Sequence, residues 1–195
     1  SGWHLHQSVA DSGGTNLFTP AEDGAMTDTA SGWIAGLLHH APSMSLFAVP
    51  TITGYKRYRA HSLAPERISW SHDGRGALIR ALCRHGDAAS RVENRGGEPA
   101  ANPYLYLASQ MFAGLEGITA GREAPPATAD AYDDALPRLP SSLEEALALA
   151  RDDAFVRDRF GATFMDCYGA IKQAEMAGFA AHVSDWEHHA YFAAF

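Results

Sequence analysis

The segment Ser1-Gly2-Trp3-His4-Leu5-His6-Gln7-Ser8-Val9 sets two histidines and a serine at alternate positions. Successive side chains of an extended strand point to opposite faces, so His4, His6 and Ser8 share one side while Trp3, Leu5 and Val9 share the other. Far along the chain, Arg91-Val92-Glu93-Asn94-Arg95 repeats the device, with arginine, carboxylate and arginine on one face. If the two polar faces meet, His4 and Glu93 can share a divalent cation while the arginines hold anions, which is the equipment of phosphoryl transfer. Taken singly, each motif has a plainer reading: alternate histidines also serve as buried hydrogen-bonding groups, and the arginine-rich strand also reads as a solvated face of cross-strand ion pairs. The pairs His39-His40 and His188-His189 fall in helical stretches and read as surface or cap residues.

The composition allows such a site to be built on a real core. The 195 residues are 46% hydrophobic, which suits one domain or one large piece of a bigger one. A net charge of −8 argues against general binding to nucleic acid or to an anionic membrane, yet the charge is uneven. Between Arg57 and Arg95 stand eight arginines against four acids, a net of +4 inside an acidic chain, which suggests a small anionic ligand. Only Lys56 and Lys172 are lysines, and arginine's planar fork suits carboxylate and phosphate. Cys83 and Cys167 lie far apart without metal-ligand spacing and read as free thiols of a reducing compartment. No apolar run approaches the ~20 residues that cross a bilayer, so the protein reads as cytoplasmic. The absence of an initiator methionine, with Ser1 directly against the polar strand, reads as a fragment.

Several elements must position these groups. Thr27 or Thr29 can cap a helix whose Ile34, Leu37, Leu38 and Ala41 fall at helical spacing and which is expected to end before Pro42. Residues 68–71, 77–83 and 91–95 read as short strands separated by turn signals at Asp73-Gly74 and His85-Gly86-Asp87. Asn102-Pro103 opens a helix with Tyr104, Leu105, Ala108, Met111, Phe112 and Leu115 as its apolar stripe, expected to pack on the sheet. Residues 119–140, with four prolines, read as a long surface loop or flap. Ser141-Ser142-Leu143-Glu144 and Ser184-Asp185-Trp186-Glu187 read as capping boxes of further helices. Between them Phe164, Cys167, Tyr168, Ile171, Ala174, Phe179 and His182 trace a helical face. Strands first and helices after give an α+β class, with antiparallel strands carrying the active face and helices behind it.

Six ordered motifs resemble the C-terminal half of the glutamine synthetase catalytic domain, and together they span nearly all of the chain. Residues 1–8 resemble the family's Gly-x-His-x-His-x-Ser strand, and Tyr55-Lys56-Arg57 its Tyr-Lys-Arg. Ala64-Pro65 with Ile68-Ser69-Trp70, and then the run from Asp73 to Arg80, resemble the two segments that follow in the family. Arg91 to Arg95, then Glu98-Pro99-Ala100-Ala101-Asn102-Pro103-Tyr104, resemble its Arg-x-Glu-x-Arg and Asp-Pro-x-x-Asn-Pro-Tyr signature.

The resemblance implies an enzyme in which ATP phosphorylates the γ-carboxylate of glutamate and an amine then displaces the phosphate. It implies His4 and Glu93 as ligands of Mg²⁺ or Mn²⁺, and His6 and Ser8 facing the nucleotide phosphates. Arg57 and Arg95 would hold glutamate, Arg75, Arg80 and Arg91 would bind phosphate oxygens, and Arg75 would also be catalytic. Where the family has Tyr-Glu-Ala-Pro, this chain has Ser62-Leu63-Ala64-Pro65. Leu63 cannot hold ammonium as a glutamate can, but it can line a pocket for the carbon chain of an organic amine, as in relatives that make γ-glutamyl amides. The alternatives are glutamine synthesis from ammonia and a non-catalytic structural relative. The resemblance also implies that residues 1–195 are the C-terminal portion of a catalytic domain whose first part and N-terminal domain are absent. It further implies a homo-oligomer of stacked rings when full length, and an isolated chain that is inactive.

Overall fold

The computed structural model describes residues 2–22, 24–59, 62 and 64–194. In chain order the elements are β1 (Leu5–Gln7), α1 (Asp28–Ala48), a short 3-10 turn (Gly54–Arg57), β2 (Trp70–His72), β3 (Ile79–Leu82) and β4 (Arg91–Asn94). After them come α2 (Pro103–Thr119), α3 (Leu143–Asp152), α4 (Ala154–Phe160), α5 (Ala162–Ala180) and α6 (Asp185–Tyr191). The class is α+β. One four-stranded sheet, in the order β1-β4-β3-β2, is backed by helices.

The sheet is mixed rather than wholly antiparallel. β4 is flanked by β1 and β3 in antiparallel pairs, but β2 runs parallel to β3. Parallel neighbours usually need a crossover of a dozen or more residues. Here the two strands are three and four residues long, so the 73–78 loop suffices to return the chain to its starting level. Asp73 opens that loop with φ at 55°, a left-handed conformation that aspartate tolerates better than most residues.

Thr27 caps α1, its hydroxyl accepting from the Ala30 N–H at 3.1 Å. The helix does not stop at Pro42 but continues to Ala48. An interior proline costs about 3 kcal/mol, whereas fully burying a large apolar side chain contributes about 1.5–3 kcal/mol each. Met44, Leu46, Phe47 and Val49, all beyond the proline, are buried in a cluster with α3, Val156 and Met165. That burial outweighs the lost hydrogen bond. The first half of α1 packs Trp33, Ile34, Leu37 and Leu38 against Trp70, Ile79 and Val92 of the sheet.

The partner of α2 is also different from the expectation. Asn102 caps it as read, accepting from Tyr104 and Leu105 N–H groups. Its buried face, however, is Tyr106, Ser109, Gln110, Ala113, Gly114 and Gly117, while Tyr104, Met111 and Leu115 are exposed. The helix lies against α1 and reaches the sheet through Gln110, which accepts from Asn94 Nδ2 at 2.7 Å. Small residues let the two backbones nearly touch: a Cβ on Gly36 would sit 2.0 Å from the Ala113 carbonyl, and one on Gly117 2.0 Å from that of Gly32. An apolar-stripe reading selects the largest side chains and misses a contact made by the smallest.

Similar shifts occur further on. α5 buries Met165 and Gly169, leaving Cys167, Ile171 and Phe179 exposed and His182 beyond its end. The cap of α3 is Ser142, with Glu145 rather than Glu144 folding back on Ser141; the Ser184 box of α6 forms as read. Past the end of α2, residues 120–140 form no helix or strand beyond an isolated bridge of Arg138 with Arg67, yet the segment is no free flap. Trp70 Nε1 donates to the Pro125 carbonyl, Ile68 N to that of Pro137 and Leu139 N to that of Glu66, so the loop is laced to the β2 side of the sheet. Both cysteines are free, Cys83 buried and Cys167 exposed. Among the described residues no helix is long and apolar enough to cross a membrane.

Candidate active site

The two polar strand faces lie on the same side of the sheet. His6 stands opposite Glu93, Glu93 opposite Arg80 and Arg80 opposite Ser71, one transverse row across four strands. The alternate positions Val92 and Ala81 turn inward to the core, which is what pins the register.

Glu93 is the hub. Its side chain is 4% exposed, and His4 Nδ1 lies 2.8 Å and Arg95 Nη1 2.9 Å from Oε1, while Arg80 Nη1 donates to Oε2 at 3.1 Å. His6 Nε2 is 3.9 Å from the same carboxylate. Burial pushes the Glu93 carboxyl up, but the Arg80 hydrogen bond and the charges of Arg95, His4 and His6 outweigh it and hold the group below its ordinary value. His4 is displaced downward, first by burial and then by the Arg95 charge, against the opposing pull of Glu93. It is therefore neutral near pH 7, with Nδ1–H directed to Glu93 and its Nε2 lone pair left available. Arg91 Nε donates to His6 Nδ1 at 3.1 Å, which places the proton of a neutral His6 on Nε2. Arg80 also grips Asp73, whose carboxyl that contact lowers.

Beside this row opens a cavity of about 460 Å³ lined by Gly2, His4, Lys56, Arg57, Arg59, Ser62, Ala64 and Arg95. The 3-10 turn carries Arg57 into it. Arg57 Nη1 and Arg95 Nε are buried with no hydrogen-bond partner. Buried guanidinium donors left unpaired are costly, and an anion would satisfy them. Gly2 must lack a side chain, because a Cβ there would lie 2.7 Å from His4 Nε2 and 3.2 Å from Arg57 Nη2.

The remaining expected site residues are placed differently. Ser8 lies exposed past the end of β1, and Arg75 is exposed in the 73–78 loop, outside the contacts that join the row. Leu63 lies outside the described residues. His39 is exposed as expected but its neighbour is not: His40 is buried, 3.3 Å from Glu116 and stacked on Phe155. The packing of α2 and α4 around α1 covers it, which no property of a His-His pair signals.

A metal ion can be tested against the donors. Among the described residues no group of three or more His, Cys, Asp or Glu side chains is placed to hold one. His4 Nδ1 and Glu93 Oε1 are 2.8 Å apart, close to the ~3 Å between adjacent ligands of an octahedral ion with bonds near 2.1 Å; the Nδ1 proton that bridges them here would have to pass to Nε2 for both atoms to ligate one ion. The spacing of the pair fits one edge of a divalent site, and among the described residues no third such side chain stands beside it.

A sheet with this row of histidine, carboxylate and arginines, opening on an arginine-lined cavity, marks a candidate anion-binding site on a domain of α+β class. The family model "Glutamine synthetase, catalytic domain" matches residues 1–191, and the chain belongs to that family. It is 40% identical to the gamma-glutamylanilide synthase of an Acinetobacter species, over 98% of this chain and 41% of the relative. It is 36% identical to the gamma-glutamylethanolamide synthetase of Streptomyces coelicolor, over 94% of this chain and 39% of the relative. With the glutamine synthetase of Halobacterium salinarum it shares 35% identity over 96% of this chain and 43% of the relative. The chain thus spans about two fifths of the length of these relatives.

Proposed function

We propose that this chain is the C-terminal portion of the catalytic domain of a cytoplasmic, ATP-dependent ligase that joins glutamate to an organic amine through a γ-glutamyl phosphate. The observation that carries the reading is the convergence of His4, Glu93, Arg80 and Arg95 on one sheet face, beside a cavity with unpaired guanidinium donors from Arg57 and Arg95.

In this reading Arg57 and Arg95 clamp the glutamate carboxylates, orienting the γ-carboxylate for attack. Arg91 and, at the loop, Arg75 meet phosphate oxygens, with Ser8 and His6 Nε2 as further donors. Arg80, already shared between Asp73 and Glu93, chiefly fixes the Glu93 carboxylate. His4 and Glu93 would hold Mg²⁺ or Mn²⁺, which neutralises charge on the transferring phosphoryl group when bound. No third donor stands beside this edge among the described residues, and in this reading the rest of the protein supplies it, so the 195 residues alone are expected to be inactive and the whole protein to work as a homo-oligomer.

The organic amine is preferred to ammonia on one feature of the sequence, Leu63 at the position where the family has a glutamate that holds ammonium, and two of the relatives have names that specify larger amines. Ammonia as substrate is the second reading. ATP-dependent phosphate release by the full-length protein, with glutamate and a panel of amines, separates them. Release with larger amines only supports the first, release with ammonia alone supports the second, and none with any amine leaves a structural relative.

A further inference from the structure

We infer that Glu98 is a positioning residue that fixes Arg57 relative to Arg95 and thereby sets the spacing of the paired guanidinium groups; the inference rests on reading those arginines as the glutamate clamp. Glu98 follows Arg95 by three residues on the segment leaving β4, and it is 5% exposed. Its Oε1 accepts from the Thr51 backbone N–H at 3.0 Å and from the Thr51 hydroxyl at 2.8 Å, and Oε2 lies 3.0 Å from the same hydroxyl. The Thr51 hydroxyl in turn accepts from Gly54 N–H at 3.1 Å, the first residue of the turn that ends at Arg57. Gly54 rides directly on the carboxylate, where a Cβ would be 2.4 Å from Oε2.

One side chain on the Arg95 segment therefore clasps both the backbone and the side chain of Thr51, three residues ahead of the turn that delivers Arg57. Both Thr51 donors converge on Oε1 while Oε2 also faces the hydroxyl; an amide could accept both on its oxygen but would set an NH₂ donor where Oε2 stands. The backbone of Glu98 is itself anchored, its N–H donating to the Ala48 carbonyl at the end of α1 at 3.0 Å. The clasp thus refers Arg57 to the rigid end of a buried helix as well as to β4. A shift of about an ångström at such a group is enough to impair substrate orientation.

The test uses the full-length protein and the variants Glu98→Ala, Thr51→Val and Thr51→Ser. The expected result is a rise of about tenfold or more in the KM for glutamate in Glu98→Ala and Thr51→Val, with the KM for ATP within about twofold and Thr51→Ser near wild type. Adding Arg57→Ala to Glu98→Ala should raise the glutamate KM no further than Arg57→Ala alone, because both act through one group. Equal rises for both substrates, a loss confined to kcat, or fully additive effects would overturn the inference. Should Glu98→Ala not fold, Thr51→Val carries the same comparison. A crystal structure of the folded variant gives a readout free of turnover: Arg57 displaced from His4 supports the inference and Arg57 unmoved overturns it. Wild-type protein with no glutamate-dependent turnover would instead remove the ligase reading, leaving the displacement of Arg57 to decide the clasp.

Discussion

His4 and Glu93 meet at 2.8 Å across the end of the β1–β4 pair, one from the edge strand and one from an interior strand that Arg80 and Arg95 also grip. Removing the carboxylate strands two arginines and a histidine against each other. Glu93→Ala is expected to cost about 3–5 kcal/mol of stability, the range for breaking a buried pair from one side, and urea unfolding measures it. Because the folded carboxyl lies below its unfolded value, its stabilisation is present above the unfolded pKa and is lost as pH falls through the folded one. The gap between wild type and Glu93→Gln should therefore narrow in acid, and a gap that widens there would contradict the assignment.

His40 supplies a second dependence with a different window. Burial first, and then the neighbouring His39, hold its imidazole below the ordinary value near 6.5, against the pull of Glu116 and Asp153. Its neutral form is thus the one the fold favours, a contribution intact above about pH 6.5 and lost as pH falls through the folded value. Urea midpoints between pH 7.5 and 5 should decline in wild type and decline less in His40→Gln; equal slopes would dissociate His40 from the effect.

One substitution at three glycines should give opposite signs. Gly36→Ala and Gly117→Ala force apart α1 and α2, where a Cβ meets backbone at 2.0 Å, and overpacking of this kind costs about 1–3 kcal/mol. Gly178, near the end of α5, has nothing within 4 Å of its Cβ position, so Gly178→Ala should stabilise by about 0.5–1 kcal/mol. Thermal melts of the three variants decide the matter.

The two thiols should react in turn. Cys167 is exposed, whereas Cys83 is buried and desolvation raises its pKa to about 11. A charged disulfide reagent at pH 8 should modify one equivalent in the native protein and the second only after unfolding.

The strands of the site were legible because period-two alternation is set by the backbone itself: the polar positions of residues 4–8 and 91–95 could only share faces. Side-chain caps were legible for the same local reason, as at Thr27, Asn102 and Ser184. What escaped was decided by tertiary packing. Pro42 was overruled by apolar residues whose cluster is completed far along the chain, in α3 and beyond. The buried face of α2 was hidden because a close crossing selects glycine, which carries no hydrophobic signal. The clasp of Glu98 on Thr51 spans 47 positions, and the motif that contains Glu98 carries no signal pointing to Thr51.

β1 has a single neighbour in the sheet and three residues of ladder, whereas β4 is flanked on both sides. The site accordingly has a firm half and a soft half. Amides of β4 should outlast those of β1 in deuterium exchange, and the arginine cradle can persist while the histidine ribbon lifts away. His4 and His6 would then leave and rejoin Glu93 independently of the arginines that hold it.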